Sequence, residues 1–123
     1  MRIRGTALVF RNNNILVVRD RGVQKFSLPG GRKNQDEPSL ATAIRELYEE
    51  LGMSAKKAER LFHCDYQGTV NRHKVSLIET EDEPYLRDQE LVEFLWWDGS
   101  RPIPRYPHVD QILGKYHHFR LSV

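Results

Sequence analysis

Glu46, Glu49 and Glu50 stand at positions i, i+3 and i+4 of the segment SLATAIRELYEEL. On a helix turning about 100° per residue, these carboxylates share one arc of about 100°. Like charges at that spacing cost a helix a few tenths of a kcal/mol per pair. The macrodipole adds to the cost, because it disfavours anions toward a helix C-terminus. A divalent cation with oxygen ligands would remove the repulsion. Mg²⁺ suits such a cluster because it takes carboxylates together with waters and substrate phosphates. Arg45 offsets part of the charge, but one guanidinium does not neutralise three carboxylates. By residue type alone, a solvated acidic face remains the alternative.

The elements that must position these groups are legible in outline. Leu40, Ala43, Ile44, Leu47 and Leu51 form an apolar stripe of helical period, which predicts a helix from Pro38 to Leu51. Pro38 suits its first turn, and Gly52 suits the residue just past its end. Upstream, residues 3–10 alternate with period two as a strand, Asn12-Asn13-Asn14 turns, and residues 15–19 return as a second strand. Asp20-Arg21-Gly22 turns again, and residues 23–28 lead to Pro29-Gly30-Gly31, which ends regular structure. Downstream, strands are expected at 61–66, 73–80 and 90–97, with an acidic, proline-containing loop at 81–89. A proline-rich connection over 100–107 precedes a short second helix at 109–116, which Gly114 weakens. Strands interleaved with two helices predict an α/β sandwich with a mixed sheet.

Composition sets the frame. The chain has 123 residues, 39% hydrophobic and 29% charged, which suits one domain over 1–123 with its own core. Cys64 is its one cysteine, so no internal disulfide forms, and a reducing, cytoplasmic setting is the expectation. No apolar run reaches the ~18 residues of a membrane span, and the N-terminus lacks a signal-peptide pattern. The net charge of +2 argues against a dedicated nucleic-acid coat.

Taken together, Gly31, Glu37, Arg45-Glu46-Leu47, Glu49-Glu50 and Gly52-Met53 spell GX5EX7REUXEEXGU, with U an apolar residue. This pattern resembles the Nudix box of the Nudix hydrolase family at every defining position. The preceding Phe26-Ser27-Leu28-Pro29-Gly30 is similar to the family's approach to the box. The resemblance implies an α/β/α sandwich with a mixed β-sheet. It also implies hydrolysis of a nucleoside diphosphate linked to another moiety, with Mg²⁺ or Mn²⁺. It further implies that Glu46 and Glu50 coordinate the metal, that Glu49 shares the cluster, and that Gly31 offers its carbonyl. Arg45 and Glu37 read as a pair that orients loop and helix rather than as direct catalysts. Glu46 is the first choice for the base that deprotonates water, with Glu90 and Glu93 in reserve.

Around the box, Arg4, Arg19, Lys25 and Arg32 are candidates to bind phosphate, and Phe26 and Tyr66 to stack on a nucleobase. Each is also a residue type that surfaces or cores carry without function. His117-His118 reads as a mobile tail rather than a metal motif. His63 and His73 lack ligand spacing, and Cys64 reads as a small buried hydrophobe. Among subgroup markers of the family, Gly68 stands where ADP-ribose enzymes carry proline. Thr69 stands where dinucleoside-polyphosphate enzymes carry tyrosine. Subtraction leaves a small nucleotide-directed type similar to MutT. Two further readings stay open. One is removal of diphosphate from an RNA 5′ end, using Arg72-His73-Lys74, Arg101, Arg105 and Arg120. The other is a non-catalytic nucleotide sensor. A small-molecule nucleotide is the expected partner, a homodimer is an assembly found in the family, and no membrane contact is expected.

Overall fold

Alternation in the N-terminal segment resolves into β1 (Arg2–Leu8), β2 (Phe10–Arg11) and β3 (Asn14–Asp20) in the computed structural model, which describes residues 1–121. Asn12 and Asn13 turn the chain between β2 and β3 with φ of 51° and 69°, a backbone that asparagine tolerates. Then follow β4 (Gly30–Arg32), α1 (Ser39–Leu51), β5 (Lys57–Arg60), a 3-10 turn (Phe62–Cys64) and β6 (Tyr66–Gln67). β7 (Asn71–Glu79), β8 (Leu91–Trp97) and α2 (Pro107–Leu121) complete the described elements.

One sheet runs β4-β1-β7-β5, with β6 also on β7, and the other runs β2-β3-β8. β1 lies parallel to β7 while its other neighbour, β4, is antiparallel, so the first sheet is mixed. Side chains of a strand alternate between faces, and here each face meets a helix. Leu8, Ile15 and Val17 share a core with Val109 and Ile112 of α2. Ala7, Val9, Leu16 and Val18 share the other with Ala43, Leu47 and Leu51 of α1. The result is the expected α/β/α arrangement. No helix among the described residues is long and apolar enough to cross a membrane.

Four expectations change. The segment 61–66 is not one strand. Asp65 receives the Arg60 guanidinium at 2.7 and 2.8 Å and the Val75 N–H at 2.9 Å, which pins a 3-10 turn before β6. A strand at 57–60 takes the place on β7 instead. α2 is longer than 109–116 at both ends, because Val109, Ile112 and Leu113 pack inward while Gly114 stays on the exposed side. His117-His118 therefore belongs to the last turns of a helix rather than a mobile tail. Pro38 stands just before the first helical residue, at the N-cap.

Candidate active site

α1 carries its apolar stripe against β1, β4 and β7, which turns its acidic side toward the chain around Gly31. The helix ends at Gly52, whose φ of 68° lets its N–H reach the Tyr48 carbonyl at 2.9 Å. The loop before the helix is fastened by Arg45. Its Nε donates to Glu37 Oε2 at 2.8 Å and its Nη2 to Glu37 Oε1 at 3.0 Å, a two-point grip. Thr42 Oγ1 also donates to Glu37 Oε1, at 2.7 Å. The Arg45 guanidinium, first among these, holds the Glu37 carboxyl down at about 2. The remaining nitrogen, Nη1, donates to Glu46 at 2.9 Å and Glu49 at 3.2 Å. The one arginine thus ties together the loop, the helix and two of the three glutamates.

The three glutamates separate in the fold. Glu49 is exposed and bonded to Arg45. Glu46 faces Gly31 so closely that a Cβ there would lie 2.3 Å from Glu46 Cδ, so a side chain at this position would displace the Glu46 carboxyl. Burial raises the Glu46 carboxyl above its ordinary range, and Arg45 opposes the shift. Glu50 is 5% exposed, and its Oε1 is buried without a hydrogen-bond partner. Burial, then the Glu46 charge, pushes Glu50 up to about 9.

Glu50 has carboxylate neighbours from another part of the chain. The 81–89 loop closes on the end of α1, where Tyr85 N–H donates to the Leu51 carbonyl at 3.1 Å and Arg87 N–H to the Glu50 carbonyl at 3.0 Å. Arg87 Nη1 donates to the Tyr48 carbonyl at 3.2 Å, a cation at the negative end of the helix. On its far side Arg21 N–H donates to the Glu90 carbonyl at 2.7 Å. So fastened, the loop brings ligand oxygens of Asp88 and Glu90 within 4.8 Å of one another and of Glu50. A buried orphan carboxylate beside two exposed ones suits a hard divalent cation, which binds oxygen and retains waters.

Glu46, Glu50, Glu90 and Gly31 line a cleft of about 660 Å³ that also takes in Asp20, Arg2, Arg4 and Arg32. Arg4 Nε is buried and without a hydrogen-bond partner. Arg32 is exposed at the rim. The other candidates lie apart from the cleft. Arg19 is engaged by Glu93 at 2.9 Å and the Val23 carbonyl at 3.0 Å, because its side chain and that of Asp20 leave the strand on opposite faces. Lys25 is exposed, with Nζ 5.6 Å from the Tyr106 ring centroid. Phe26 is buried in the α2-side core, so it is not available to stack on a base, whereas Tyr66 lines a neighbouring cavity. Of the cations considered for RNA, His73 is buried and Arg105 is paired with Asp110 at 2.9 Å. Cys64 is buried, and burial pushes its thiol up to about 11.

Sequence reasoning missed Asp20 and Asp88. Asp20 was read as a turn residue and Asp88 as one of several acids in a loop, and no local signal separates either from its neighbours.

Residues 1–109 match the family model described as NUDIX domain. A Lactococcus lactis subsp. cremoris protein described as "Probable DHNTP pyrophosphohydrolase" is 31% identical over 83 residues. That match takes in 68% of this chain but 46% of the relative's length, so the chain spans about half of it. Among solved structures, a Chromobacterium violaceum protein assigned to the nudix hydrolase family superposes with a TM-score of 0.83 at 24% identity, over 98% of this chain and 80% of the other. A MutT NUDIX hydrolase from Burkholderia pseudomallei gives 0.80 at 22% identity, over 93% and 96%. At these identities the structures speak for the fold.

Proposed function

The chain belongs to the Nudix family, and on that premise we propose that it is a single-domain, divalent-metal-dependent pyrophosphohydrolase. Its substrate is a nucleoside triphosphate or another nucleoside diphosphate derivative, cleaved by water attack at phosphorus. The observation that carries this reading is Glu50, a buried carboxylate with an unpartnered oxygen, set beside Asp88 and Glu90. A structural role would not leave such a group uncompensated, because burial without a partner forces the carboxyl to take up a proton on folding at neutral pH, which costs stability.

Glu46, Glu50, Asp88, Glu90 and the Gly31 carbonyl are the groups that would hold Mg²⁺ or Mn²⁺. Such a cation neutralises phosphate oxygens and lowers the pKa of water. The protein's own groups do the rest. Arg4 and Arg32 bind phosphate oxygens, and the two-point grip of Arg45 on Glu37 keeps the loop and helix in register. Glu46 takes the proton from the attacking water, since burial already favours its protonated form. Glu90 is the second choice for that role. Glu49, exposed and bonded to Arg45, tunes Arg45 rather than touching substrate.

The test is a nucleotide panel assayed with Mg²⁺ or Mn²⁺ and with product identification. It includes DHNTP, because of the name of the Lactococcus relative, and 5′-triphosphorylated RNA. Release of pyrophosphate or monophosphate from at least one nucleotide is expected, and it also locates the attacked phosphorus. Binding of a nucleotide without any release would support the sensor reading instead.

A further inference from the structure

The last turn of an α-helix leaves carbonyls without intrahelical partners, and in α1 one loop takes two of them. Tyr85 N–H donates to the Leu51 carbonyl at 3.1 Å and Arg87 N–H to the Glu50 carbonyl at 3.0 Å. Side chains extend the contact. Arg87 Nη1 donates to the Tyr48 carbonyl at 3.2 Å, and its guanidinium carbon lies 4.6 Å from the Tyr48 ring centroid. The Tyr85 ring lies over Gly52, where any side chain would run into it. Neither Tyr85 nor Arg87 belongs to a hydrophobic core, and Tyr85 is 55% exposed. The dock therefore buries little apolar surface. What it fixes is the place of the residues that follow.

Those residues are Asp88 and Glu90. Glu90 N–H donates to Asp88 Oδ1 at 3.0 Å, which joins the two acids in one turn. Beyond them Arg21 Nε donates to the Gln89 carbonyl at 2.8 Å, which ties the turn to the chain just past β3. Among the described residues, the hydrogen bonds that join it to α1 are those of Tyr85 and Arg87. Glu50 has a part in both structures. Its backbone carbonyl receives Arg87 N–H, while its carboxyl, with Oε1 buried and unpartnered, stands within 4.8 Å of Asp88 and Glu90.

We propose that Tyr85 and Arg87 are positioning residues of the divalent-cation site. By docking on the last turn of α1 they hold Asp88 and Glu90 beside Glu50, and a bound cation tightens the dock in return, because such coupling is reciprocal. This rests on the reading of the acidic cluster as a cation site. Sign separates position from charge here. Removing a positive charge next to an acidic cluster by itself favours cation binding, so weaker binding in Arg87→Ala has the sign of lost position.

Mn²⁺ is titrated calorimetrically into the whole chain, and amide exchange over 81–90 is followed by mass spectrometry with and without Mg²⁺. Wild type should bind Mn²⁺, and Mg²⁺ should slow exchange over 81–90 about threefold or more. Arg87→Ala should weaken Mn²⁺ binding about threefold or more, and Tyr85→Ala combined with it about tenfold or more. Exchange over 81–90 should be faster in both. Arg87→Lys, which keeps a donor and a charge at the helix end, should recover most of the loss. Both side chains are exposed, so the metal-free variants should melt within a few degrees of wild type. Unchanged Mn²⁺ affinity in the double variant would overturn the proposal whatever its exchange, and so would tighter binding in Arg87→Ala. Wild type that binds no Mn²⁺ would remove the cation site itself, and this proposal with it.

Discussion

Replacing Gly31 with alanine would put a Cβ 2.3 Å from Glu46 Cδ, the far end of a flexible side chain. Glu46 can swing aside, so Gly31→Ala should fold with a melting temperature within a few degrees of wild type. Its kcat should nonetheless fall at least tenfold, about 1.4 kcal/mol of lost transition-state stabilisation, because Glu46 leaves its place. A steady-state assay beside a thermal melt separates the two effects. Glu50 behaves differently, because its cost lies in protonation rather than space. In metal-free protein Glu50→Gln removes a buried carboxyl that must take up a proton to fold at neutral pH, so stability should hold or rise. Millimolar Mg²⁺ or Mn²⁺ should raise the melting temperature of wild type by binding the native state, and should leave Glu50→Gln unmoved. An equal shift in both proteins would remove Glu50 from the metal site.

At the scale of elements, α1 and the two segments bonded to it make the site. Glu37→Ala would leave Arg45 without its two-point partner, and a loss of ~1–3 kcal/mol in urea unfolding is expected. In wild type that pairing stabilises the fold above the ordinary carboxylate range, and is lost as pH falls from about 4.5 toward about 2. The helix was legible because its stripe, its N-terminal proline, its terminal glycine and the whole box occupy one continuous stretch. Asp88, Asp20 and His108 were not, because their places depend on long-range bonds. Arg87 N–H to the Glu50 carbonyl joins residues 37 apart, and Leu28 N–H to His108 Nε2 joins residues 80 apart. The parallel pairing of β1 with β7 is hidden for the same reason, since alternation sets a strand's faces but not its neighbours. Phe26 shows the converse error: an aromatic beside a motif was read for its chemistry, while its packing placed it in the core.

For the whole molecule, the buried histidines predict an acid-sensitive fold. His73 and His108 titrate at about 4 and about 3 when folded but near 6.5 when unfolded. Their neutral forms therefore favour folding above pH 6.5, and that contribution is lost as pH falls toward 4, on the order of 3 kcal/mol for His73. Glu50, pushed up to about 9, has the opposite sign, and Arg4, Asp20, Tyr66 and Tyr106 line one cavity with the two histidines. The comparison is therefore made between proteins: from pH 7 to pH 4.5 the melting temperature should fall further for wild type than for His108→Gln. The net charge of +2 conceals this polarity, with an acidic pocket under α1, cations on its rim and a neutral aromatic cavity beside it. The most direct measurement is hydrolysis of the preferred nucleotide with Mg²⁺ in ¹⁸O-water by wild type and by folded Glu50→Gln. Wild type should place ¹⁸O in a phosphate product, and Glu50→Gln should lose at least a hundredfold in kcat. Turnover by Glu50→Gln at the wild-type rate would contradict the account.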